Sequence, residues 1–128
     1  MTANEIITNC NLIRDELDRQ IPISDMDSVE GKMLNLCAMM GLSAECLRYA
    51  QYLLLHKQGQ CIDKIRAADP TISASILKVK LESDLAEERT LYEYAERLNA
   101  AITHCVDGLR TSISKYKEEL NVSTFQRK

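Results

Sequence analysis

Tryptophan is absent from this chain, phenylalanine occurs once, proline twice and glycine four times in 128 residues. So few turn-forming residues exclude a fold of many short strands joined by hairpins. The apolar content comes instead from Leu, Ile, Ala and Met, which favours helix over sheet. Long apolar runs are also missing. The longest, Leu36 to Leu42, is far too short to span a bilayer, so no membrane association is expected.

The segment Met1-Thr-Ala-Asn-Glu5 lacks the basic start and apolar stretch of an export signal. Five cysteines make an odd number, and none form a Cys-x-x-Cys pair. A reducing, cytoplasmic setting with free thiols follows as the expectation. No strong charge of one sign is present either. The net charge of −3 argues against general attraction to nucleic acid.

What the chain does have is helical periodicity. Thr2-x-x-Glu5 is a capping box, and Ile6, Cys10, Ile13 and Leu17 make one face of a helix over about 3–20. Pro22 keeps Ile21 out of helical geometry and closes it. Ser24 or Asp27 can cap a second helix over 28–57, whose stripe is Val29, Met33, Leu36, Met40, Leu47, Ala50 and Leu54. That stripe keeps phase across Gly41, so the helix is read as continuous there. A second stripe, Met39, Leu42, Cys46, Tyr49 and Leu53, widens its apolar face from the middle onward. Gly59 reads as a C-terminal cap, followed by a short helix over 60–68.

Asp69-Pro70 then reads as the start of one very long helix over about 70–120. Its stripe runs from Leu77 through Leu81, Leu85, Leu91, Ala95, Leu98 and Ile102 to Leu120, with a mean step of about 3.6 residues. Glu88 falls on that stripe. Ile72, Ile76 and Val79 add a second stripe near the start. Residues 121–128 lose periodicity and read as a frayed tail. The expected fold is therefore all-α: one domain over 1–120, an elongated three-to-four-helix antiparallel bundle. The first two helices, end to end, would line the long C-terminal one.

Function is less legible. His104 and Asp107 share a helix face, but Cys105 points about 100° away, so no Cys–His dyad forms within one chain. Neither histidine has the Glu three residues before it that di-metal bundles use, since those positions are Leu53 and Ala101. Cys46, His56 and Cys61 read more simply as space-filling residues than as ligands. The carboxylates Glu82, Asp84, Glu87, Glu88, Glu93 and Glu96 suggest Mg²⁺-assisted hydrolysis, but all lie on one helix and cannot close around an ion within one chain. No catalytic residue, metal or cofactor is expected.

Residues 56–80 carry five basic groups, Lys57, Lys64, Arg66, Lys78 and Lys80, against Asp63 and Asp69. They are the only candidates for anion contact. The short helix and Asp69-Pro70 superficially resemble a helix-turn-helix, but Thr71-Ile-Ser-Ala-Ser-Ile76 offers no Arg, Asn or Gln for base edges. A nucleic-acid accessory role through this corner and an all-α Mg²⁺-dependent hydrolase are the alternatives. The expectation preferred to both is a non-enzymatic scaffold or interaction module that self-associates, a dimer being favoured. Its faces would be the Met26–Met40 surface, with Met33 and Met40, and the widened corner of Met39, Leu42, Cys46, Tyr49, Leu53, Ile72, Ile76 and Val79.

Overall fold

The computed structural model describes residues 1–127 in backbone and residues 1–124 in side chains. Among the described residues it contains four helices and no strand: α1 (Ala3–Asp18), α2 (Met26–Ala68), α3 (Ala74–Asp84) and α4 (Ala86–Arg127). The fold is all-α with a long C-terminal helix, as the periodicity predicts.

α1 begins as the capping box requires, with Thr2 Oγ1 accepting from the Glu5 N–H at 3.2 Å. Its buried residues are Ile6, Cys10 and Ile13. The start of α2 differs from both caps expected for it. Asp25 is the N-cap, its Oδ1 accepting from the N–H groups of Asp27 and Ser28 and its Oδ2 from the Ser28 hydroxyl. A residue that satisfies two orphan amides and a hydroxyl outcompetes its neighbours.

α2 then runs unbroken through Gly31, Gly41 and Gly59. The expected stop at Gly59 and separate helix over 60–68 do not occur. A glycine cap works through the left-handed conformation, and no described residue has a positive φ. Leu54, Cys61 and Ile65 continue the apolar phase across Gly59, so packing outweighs the ~1 kcal/mol that a mid-helix glycine costs relative to alanine.

Asp69-Pro70 is not a helix start but a turn. The Asp69 Oδ1 accepts from both the N–H and the hydroxyl of Thr71, an Asx turn that bends the chain two residues on. The helix waits for Ser73, whose Oγ accepts from the Ile76 N–H. Leu85 alone divides α3 from α4. It has φ −105° and ψ 10°, yet its N–H still reaches Leu81 O and its O still receives the Arg89 N–H, both at 2.9 Å. The single helix expected over 70–120 is thus two helices meeting at a one-residue elbow. Residues 121–127 are helical rather than frayed, and Lys128 lies outside the described residues.

α2 and α4 form an antiparallel hairpin whose register is marked by Ser43 Oγ–Asn99 Oδ1 at 3.2 Å and Lys57 Nζ–Glu88 Oε1 at 2.8 Å. At 1.5 Å per residue each helix is about 63 Å long and α1 about 24 Å. α1 does not continue α2 end to end, as expected, but lies beside it, antiparallel, in one groove of the hairpin. Asn35 meets Glu16, Tyr94 OH donates to Asn11, and Cys46 meets Cys10. The core they enclose includes Ile6, Cys10, Ile13, Leu36, Cys46, Ala50, Ala95, Leu98, Ile102 and Val106. Lys32 is also buried there, its ammonium donating to Leu17 O and Arg19 O. Past Ile113, α4 overhangs the start of α2, and every residue from Ser114 to Thr124 is exposed.

Candidate interaction surface

Where α1 begins, it leaves the upper hairpin uncovered. The result is an open cleft of about 880 Å³ between the first turns of α1 (Ala3, Ile7), α2 (Leu53, His56, Lys57) and the start of α4. Lys57 and Glu88 meet at its edge. Glu88, the acidic residue on an otherwise apolar stripe, sits at a gap in the bundle where a lysine can reach it. Burial pushes its carboxyl up, but the hydrogen bond and charge of Lys57 prevail and hold it below the ordinary value. Lys57 is raised in turn, chiefly by that hydrogen bond. The other carboxylate oxygen, Oε2, is sealed from solvent without a hydrogen bond.

A carboxyl whose folded pKa is depressed stabilises the fold above the ordinary carboxylate range, and that share is lost as pH falls through the folded pKa. Glu88→Gln should therefore flatten the decline of melting temperature between about pH 5 and pH 3. Part of the slope will remain, because Glu16 and Asp25 are depressed too, chiefly by hydrogen bonds from Arg19 and Ser28. Thermal melts across that range read the difference.

The residues expected to form an apolar interaction corner are placed along the molecule rather than gathered. Cys46 is fully buried against Cys10. Burial first, then Cys46, pushes the Cys10 thiol up to about 12, so this pair stays protonated and inert as a nucleophile. Leu42, Tyr49 and Leu53 share the helix side of Cys46 and are half-buried against the core, as is Met39. Met33 and Met40 are half-buried toward the other edge of α2. Ile72 is half-buried, whereas Ile76 and Val79 are exposed on α3, which has no fully buried residue. α3 packs beside the 57–68 end of α2, with Lys64, Ile65 and Ala68 facing Lys80 and Asp84 around a shallow hollow.

The basic corner is interleaved with acid. Lys57 is committed to Glu88, and Lys64 and Lys80 share the hollow with Asp69 and Asp84. Arg66 and Lys78 are exposed. Glu82, Asp84, Glu87, Glu93 and Glu96 are exposed along α3 and α4. Among the described residues, no three Asp, Glu, His or Cys side chains converge as a metal site. Asp107 lies 3.9 Å from Arg110, and His56 stacks on Tyr52 with ring centroids 5.6 Å apart.

A further surface emerges only once α1 is placed. The hairpin has two grooves, and α1 fills one. The edge of α2 on the opposite side carries Leu34, Cys37, Gly41, Ala44 and Leu55, with Leu34 63% and Leu55 58% exposed. Steps of four and three residues from Glu30 to Arg48 were the available sequence signal. Its small residues and flanking charges hide it from a search for large apolar stripes. Comparison with protein families, with characterised proteins and with solved structures yields no match to this chain. No described helix is long and apolar enough to cross a membrane.

Proposed function

We propose that the chain is a non-enzymatic helical scaffold that works by burying helix faces against another protein surface, with self-association as its primary mode. Its setting is a reducing, cytoplasmic one, consistent with five free thiols. The observation that carries this reading is the one-sided cover of the α2–α4 hairpin. α1 spans about 24 Å of a pair of helices about 63 Å long, and the opposite groove leaves apolar side chains at the surface. A thin, elongated core buries a small share of its chain and gains from a second layer of helices.

Light scattering after size exclusion, across a dilution series, tests the reading. The expected result is twice the single-chain mass at high concentration, falling toward the single-chain mass on dilution. A single-chain mass at every concentration up to the millimolar range overturns self-association.

A further inference from the structure

On α2, Glu30, Leu34, Cys37, Gly41, Ala44 and Arg48 follow one another at alternating steps of four and three residues, the spacing that holds side chains on one stripe. This stripe lies about half a turn round the helix from Asn35 and Cys46, which meet α1. On α4, Glu96, Thr103 and Arg110 form the matching edge, about half a turn from Tyr94, which bonds Asn11. All of these residues are exposed except Cys37, which is half-buried. Among the described residues, no other element covers the face between the two edges.

The Ser43–Asn99 bond fixes how the two edges line up. Arg48 is five residues past Ser43 and Glu96 three before Asn99, so they stand within about 3 Å of the same level. Glu30 and Arg110, 13 residues before Ser43 and 11 after Asn99, again share a level to within about 3 Å. The face is therefore a rectangle with alternating corners: positive and negative at one end, negative and positive at the other. Among the described residues, Glu30, Arg48 and Glu96 make no ion pair. The Arg48 guanidinium rests over the neighbouring Tyr49 ring, 4.9 Å from its centroid. Among the same residues, Arg110 has only the long, exposed contact to Asp107.

We infer that this face is an isologous interface between two copies of the chain. The inference rests on the self-association reading and adds the surface and the pairing. Alternating corners are self-complementary. A two-fold axis along the bundle sets Arg48 against Glu96 and Glu30 against Arg110 of the second copy. An axis across the bundle sets Arg48 against Glu30 and Glu96 against Arg110. Either one brings only opposite charges together, and mismatched registers bring like charges together, so the corners set register. Between them, Gly41 and Ala44 lack bulk and allow close helix approach, while Leu34 and Cys37 supply apolar contact. From Glu30 to Leu55 the face measures about 37 Å by about 20 Å, or roughly 750 Å². A stable interface takes about 800 Å² per partner. The area therefore fits a reversible dimer rather than an obligate one.

The test is the dimer dissociation constant at low ionic strength, where surface charge is least screened, by sedimentation or light scattering. Arg48→Glu is expected to weaken the dimer at least tenfold while leaving helicity unchanged, since the side chain is exposed. Adding Glu96→Arg or Glu30→Arg to it should restore the dimer, and whichever does so identifies the axis. A wild-type dimer that Arg48→Glu leaves intact, or that neither double variant restores, overturns the interface but not self-association. A wild-type dimer broken by Ile76→Lys and Val79→Lys on α3, and not by Arg48→Glu, places the interface at the corner instead. A wild-type monomer at all concentrations overturns both.

Discussion

Replacing Lys32 by methionine should lower the stability of the fold by about 2 kcal/mol, although the substitution keeps the length and removes a buried charge. Lys32 is only 7% exposed. Its ammonium donates at 2.9 Å to Leu17 O and at 2.8 Å to Arg19 O. These carbonyls end α1, whose last turn carries no basic residue of its own. They are orphan acceptors at the negative pole of a helix, and Lys32 arrives from the neighbouring helix to satisfy them.

Hydrogen bonds to a charged group contribute about 1.5–3 kcal/mol each. Two terms reduce the sum. Burying the ammonium is itself costly, so its removal returns part of the loss. Arg19 is exposed, so water can reach at least one of the freed carbonyls. A net loss of about 2 kcal/mol remains, large against the roughly 5–15 kcal/mol of a typical domain. Urea denaturation measures it. Hydrogen exchange should also show residues 14–19 fraying first, because α1 loses its tie to α2 there. A change under about 0.5 kcal/mol would mean that solvent replaces the lysine fully at both carbonyls.

Lys32 also marks where sequence reading stops. Patterns that depend on neighbours along the chain were legible. The Thr2–Glu5 cap and the stripe Ile6–Cys10–Ile13 follow from local spacing, and the all-α architecture follows from such periodicity along the chain. Features set by a partner distant in sequence were not. Lys32 looks like a surface lysine until α1 folds back over it. Gly59 looks like a stop because glycine usually stops helices, yet the apolar phase of Cys61 and Ile65 carries the helix through.

The same divide separates the parts of the candidate surface. That α2 has more apolar face than one neighbour can cover is written in its two stripes. That α1 lies over the Cys46 side, leaving the Glu30–Arg48 edge open, depends on a long-range packing choice. Only then do four ordinary surface charges acquire a common geometry. Glu88 sits between these cases: its place on an apolar stripe was visible, whereas the lysine 31 residues earlier in the chain that answers it was not.

Leu85→Ala should have a larger but more local effect, about 2–5 kcal/mol, the range for truncating a buried leucine. Leu85 is wholly inaccessible to solvent and occupies the elbow between α3 and α4. α3 buries no residue completely; Leu77 and Leu81 are half-buried, and Ile76 and Val79 face solvent. The eleven residues of α3 are too few to hold a helix alone in water. Its attachment therefore depends heavily on this one side chain and on the two backbone bonds through Leu85. Truncating it removes the anchor and opens a cavity at the elbow, while the cluster around Ile6, Leu36, Leu98 and Ile102 lies apart. The chain should respond in two stages, with α3 opening at low denaturant and the α1–α2–α4 bundle unfolding later. Hydrogen exchange should show protection lost across residues 74–84 and retained across 91–106. Uniform loss of protection would show instead that α3 and the bundle unfold as one cooperative unit. The charged corners of the proposed dimer face, Glu30 and Arg48 on α2 and Glu96 and Arg110 on α4, are all at least nine residues from the level of the elbow, so on that proposal the same variant should still dimerise with α3 detached.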